Sequence, residues 1–123
     1  MLVFALQGCW AVDGNPYDSQ DLAGNFKILH WKGQNDYGFV LAYAFDENIT
    51  ENIEKNCKVV YFNSDIVLVE HARTMLDTTT LYSKIVRTKK GGYVYKKIDL
   101  KRSEFLNELN KCETCNSKRL TNE

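Results

Sequence analysis

The chain has 123 residues, 44% of them hydrophobic, with sixteen basic residues balancing sixteen acidic ones. That length suits one domain with a real core, here residues 1–123 as a single β-rich unit, and a lone proline without any biased tract excludes a disordered chain. Zero net charge supplies no field for nucleic acid or an anionic membrane, and no apolar run approaches the roughly 18 residues of a membrane-spanning helix.

Residues 1–6 are apolar but lack a basic flank, so they read as a clipped signal remnant or a first strand; Leu6-Gln7-Gly8-Cys9 also has the look of a lipoprotein box. Residues 13–19 collect turn formers and the only proline, which predicts a loop. A strand is predicted from Phe26 to Trp31, followed by a turn at Gly33-Gln34-Asn35-Asp36. The next strand is the clearest: Tyr37, Phe39, Leu41, Tyr43 and Phe45 fall on one face, while Gly38, Val40, Ala42 and Ala44 fall on the other. Its bulky face would fill a core, and its small face would let a second layer or a ligand approach.

Residues 46–56 are acidic and Asn-rich and read as a loop or short helical turn. Residues 58–62 and 66–71 flank Asn63-Ser64-Asp65 as a tight hairpin. A second hairpin is predicted from residues 78–88 and 93–98 around Lys89-Lys90-Gly91-Gly92, because the run Thr78-Thr79-Thr80 favours strand over helix. Ser103 is placed to cap a helix over about 103–112, with Phe105, Leu106, Leu109 and Cys112 on its apolar face. The tail 116–123 is polar and reads as frayed. The sum is a mainly β fold: an antiparallel meander or small up-and-down barrel with one C-terminal α-helix.

Four cysteines, Cys9, Cys57, Cys112 and Cys115, allow two disulfides, and the closeness of Cys112 to Cys115 favours a distant partner for each. Even-numbered cysteines in a small domain point to an oxidised, secreted chain, and the sequon Asn48-Ile49-Thr50 in a polar stretch makes Asn48 a glycosylation candidate. Cys112-Glu113-Thr114-Cys115 has the spacing of a metal knuckle, but no second pair accompanies it and no metal is expected. The same pair ends a helix instead of starting one, which argues against a redox dithiol. Glu70 and His71 alternate on a strand and point apart, so they form no local dyad, and His30 shares a face with Phe26 and Ile28 as a wall histidine. No enzyme and no cofactor are expected.

A run of strands followed by a helix, with Gly8-Cys9-Trp10 in the opening segment, resembles the lipocalin family of β-barrels. That resemblance implies a structural role for Gly8 and for Trp10 as a plug at the closed end of the barrel. It also implies a C-terminal helix on the outer wall and transport of a small apolar molecule. His30, Trp31, Tyr37, Phe39, Leu41, Tyr43, Tyr61 and Leu68 are then the expected wall of the ligand cavity. The alternative is a β-sheet module that binds a protein partner and has no cavity.

Overall fold

The computed structural model describes residues 17–31, 38–88 and 94–120. Two antiparallel sheets pack face to face, and one helix lies on the outside of the second. The first sheet is a meander of β1 (Tyr17–Asp21), β2 (Phe26–Trp31), β3 (Val40–Ala44) and β4 (Thr50–Glu54). The second contains β5 (Cys57–Phe62), β6 (Ile66–Ala72), β7 (Thr80–Arg87) and β8 (Tyr95–Leu100), in the order β8-β7-β6-β5, with β9 (Asn116–Arg119) added beyond β5. The helix, α1 (Arg102–Lys111), joins β8 to β9.

The meander is therefore present, but it does not close into a barrel, and the barrel expectation is corrected. The chain leaves the first sheet between Glu54 and Cys57, where Asn56 adopts a positive φ of 56° that asparagine tolerates better than most residues. The Cys57 N–H donates to Phe39 O at 2.9 Å, and Asn56 O accepts from the Ala72 N–H at 2.9 Å, so the crossover is stitched to both sheets. Strands β4 and β5 consequently sit in different layers.

Alternation in the strands decides what fills the space between the sheets. Phe26 and Ile28 of β2, together with Phe39, Leu41 and Tyr43, meet Cys57, Val60, Val67, Val69 and Ile85 from the second sheet, and all are buried. Phe26 meets Tyr43 edge-on at 5.1 Å between ring centroids, a favoured aromatic geometry. On the opposite face of the first sheet, Leu29, Val40 and Ala42 form a smaller buried cluster.

The helix caps the outer face of the second sheet through Phe105, which sits between Tyr82 and Tyr61 at 4.8 and 6.0 Å. Lys84 of β7 donates to Glu108 at 2.6 Å and holds its carboxyl below the ordinary range, fixing the helix from a second point. Lys101, not Ser103, is the N-cap; Glu104 Oε1 accepts from the Lys101 N–H at 2.7 Å, so the helix starts two residues earlier than its serine signal implies.

Three polar segments also become strands. β1 takes up part of the predicted loop 13–19, β4 lies inside residues 46–56, and β9 forms from the tail read as frayed. Gly8, Cys9, Trp10 and Tyr37 lie outside the described residues, as do the side chain of Trp31 and the opening segment 1–12.

Candidate functional site

The predicted cavity wall divides between separate places. Phe39, Leu41 and Tyr43 lie in the core between the sheets, where Leu41 is fully buried. Leu68 is buried too, but Val67 and Val69 beside it point into that core, so strand alternation turns Leu68 to the opposite face. Tyr61, directly across from Leu68 in the β5–β6 register, shares this outer layer and contacts Phe105. Its hydroxyl donates to Glu70 at 3.1 Å, and partial burial followed by the Glu70 charge raises its pKa. His30 is half-buried and stacks on Phe39 at 4.4 Å. These residues serve packing in two layers and do not converge on one cavity.

A depression of about 310 Å³ opens along β4, lined by Val40, Asn52, Ile53, Glu54 and Lys55. Among the described residues, none of the predicted wall residues borders it, and its lining mixes charge with apolar groups.

Where β4 faces the second sheet, the structure assembles ionisable side chains that no sequence motif announces. Lys97 Nζ stands 2.6 Å from Glu54 Oε2 as a charge contact without directed hydrogen-bond geometry. His71 Nε2 lies 3.5 Å from the same oxygen and 3.0 Å from Ser83 Oγ, which donates to Asp99 Oδ1 at 3.3 Å. One edge of this seam is extended by Tyr95, whose hydroxyl donates to Glu51.

Burial lowers the His71 pKa against the opposing pull of Glu54, so the ring is neutral at pH 7. A nucleophilic relay needs serine and acid on different ring nitrogens, with the serine open to substrate. Here both partners share Nε2 and Ser83 has no exposed surface. The arrangement can join two sheets, but it offers no attacking group. Among the described residues, no cluster of three His, Cys, Asp or Glu side chains is suited to a metal.

Cys112 and Cys115 bridge each other, which corrects the expectation of distant partners. Cys57 is a free, buried thiol whose pKa burial pushes up to about 12, keeping it protonated and inert. Asn48 is exposed in the β3–β4 turn, where Asp46 Oδ1 accepts from the Asn48 and Ile49 N–H groups at 2.7 and 2.9 Å.

The loop between β6 and β7 presents a different surface. Leu76 is 97% exposed and Met75 about half exposed at its tip. Thr74 Oγ1 accepts from the Leu76 and Asp77 N–H groups at 3.2 and 2.8 Å, and Asp77 Oδ1 accepts from the Thr79 N–H and hydroxyl at 3.1 and 2.6 Å. Those Thr79 bonds hold the Asp77 carboxyl below its ordinary pKa, and Arg73 pairs with it at 3.3 Å. The signal in the sequence was the Thr74…Asp77…Thr79 spacing around an unpatterned Met75-Leu76 pair.

No protein-family model matches the chain, and no curated protein or solved structure matches it either.

Proposed function

We propose that this chain is a non-enzymatic β-sandwich interaction module that binds another protein through the Met75–Leu76 tip, and that it works as a secreted protein in an oxidising compartment. The carrying observation is Leu76, almost wholly exposed on a loop braced by its own side chains. Burying a leucine is favourable by roughly 1.5–3 kcal/mol. A leucine held in water on an ordered tip leaves that free energy available to a partner, and the bracing lowers the ordering entropy lost on docking. The packed core between the sheets supports the same reading, because Phe39, Leu41 and Tyr43, three of the side chains expected to line a ligand cavity, fill that space themselves. The Cys112–Cys115 disulfide supports the oxidising compartment, where such bonds persist. The exposed Asn48 turn then makes glycosylation there part of the same proposal.

A photo-crosslinking residue at the exposed Thr78 tests this in the native source. One discrete protein adduct is expected, and Leu76→Asp should abolish it while leaving the melting curve unchanged. An adduct indifferent to Leu76→Asp would refute the docking tip. A small apolar molecule co-purifying with the chain, and no adduct, would restore the carrier reading.

A further inference from the structure

We propose that the Cys112–Cys115 disulfide is a redox latch that holds β9 over the edge of β5, and that reduction by an external dithiol loosens this C-terminal strand.

The argument starts with β5, whose sequence Cys57-Lys58-Val59-Val60-Tyr61-Phe62 is rich in β-branched and aromatic residues and carries a single charge. Such a strand at an open edge would capture other strands. β9 prevents this, pairing Val59 with Arg119, Val60 with Lys118, Tyr61 with Ser117 and Phe62 with Asn116. It does so with four polar residues that add little apolar burial of their own. The anchor comes just after them, where Leu120 is buried in the core between the sheets and its N–H donates to Lys58 O at 2.9 Å.

Between α1 and β9 the chain reverses within residues 112–115, and the disulfide closes this reversal into a ring. Asn63, in the β5–β6 turn, donates from Nδ2 to Cys112 Sγ at 3.3 Å and to Thr114 Oγ1 at 3.1 Å, which ties the ring to the strand being guarded. Both bridged cysteines are partly exposed, whereas Cys57 is buried and protonated. Among the described residues, exchange with solvent thiols is thereby directed to the Cys112–Cys115 bond.

The chemistry balances as a two-electron exchange. A thiolate of the external dithiol attacks Cys115 Sγ, the sulfur–sulfur bond breaks, and Cys112 leaves as a thiolate that the Asn63 amide stabilises. The second thiol of the reagent then displaces Cys115. The reagent ends as a disulfide, and its two protons end on Cys112 and Cys115. Loop-closure entropy for a ring of about four residues corresponds to a change of roughly 20-fold in the opening equilibrium.

Hydrogen exchange on the intact protein tests the latch, comparing the oxidised form, the form treated with dithiothreitol, and the double variant Cys112→Ser/Cys115→Ser. The expected result is exchange of the order of 10- to 20-fold faster for amides of residues 116–120 and for the β5 amides that face them, with β6 and β7 unchanged and the effect reversed by oxidised dithiothreitol. Unchanged rates in β9 would overturn the proposal, as would acceleration spread evenly over both sheets. Near-ultraviolet circular dichroism on the same samples separates local opening from loss of the fold. This outcome is independent of the Met75–Leu76 tip, which lies on another loop.

Discussion

Leu41→Ala asks whether the space between the sheets is packing or a ligand wall. Leu41 has no exposed surface and lies in the cluster shared by both sheets. The substitution removes the branch beyond Cβ, and at about 0.8 kcal/mol per methylene-sized group the lost transfer term is about 2.4 kcal/mol. If about 40 Å³ of the space remains unfilled, the cavity term adds about 1 kcal/mol. The expected loss is therefore about 3.5 kcal/mol, with no change in the denaturant slope because the surface exposed on unfolding hardly changes. Urea unfolding followed by circular dichroism measures it, and Leu76→Ala is the control, expected within about 0.5 kcal/mol of wild type because that side chain already stands in water. A loss below about 1 kcal/mol for Leu41→Ala would refute the reasoning, since a residue lining an empty cavity has few contacts to lose.

Phe105→Ala should cost about 3–5 kcal/mol by removing the anchor that sits between Tyr61 and Tyr82, measured by the same unfolding curves. Asn56→Gly should be neutral or stabilising, because glycine adopts the positive φ freely and both buried amide atoms of Asn56 lack a hydrogen-bond partner; Asn56→Ala should cost about 1 kcal/mol by comparison, read as a melting shift. Burial holds His71 below its ordinary pKa of 6.5, so the unfolded chain binds this proton more readily than the native one. The His71 contribution is complete above about pH 6.5 and falls as pH drops below it, by at most about 1.4 kcal/mol per pH unit, a slope that His71→Gln should remove from the stability profile. Native Cys57 should resist iodoacetamide at pH 8 and react only once the chain is unfolded, as mass spectrometry would show.

The legible parts of the fold were those whose residues face a core. β2 was predicted with its observed bounds, the β5–β6 hairpin was predicted around Asn63-Ser64-Asp65, and the helix was predicted within a residue of its ends. The three missed strands, Tyr-Asp-Ser-Gln-Asp, Thr-Glu-Asn-Ile-Glu and Asn-Ser-Lys-Arg, each stand at the end of their sheet's strand order. Edge strands are selected to face water and to discourage further pairing, so they carry charge and turn-forming residues where inner strands carry alternation. β8 is also an end strand, yet it was legible because Tyr95 and Ile98 keep β-prone residues in its run.

The choice between barrel and sandwich was illegible for another reason. Both bury one face of each strand, and what separates them is the change of layer at Asn56, a single backbone conformation. The seam joining Glu54, His71, Ser83, Lys97 and Asp99 spans four strands of two sheets, so no local spacing could reveal it. The Cys112–Cys115 bridge is not legible in the sequence because a short cysteine spacing is ambiguous until the chain reversal that brings its two sulfurs together is known.

The most direct test of the central claim, that binding uses the outer surface and not the interior, is a titration with a graded series of apolar ligands monitored by melting temperature. The account predicts no saturable rise with any member of the series, since the space between the sheets is filled by the chain's own side chains. A saturable rise that Leu41→Ala or Tyr43→Ala alters would contradict it and return the molecule to the class of small-ligand carriers.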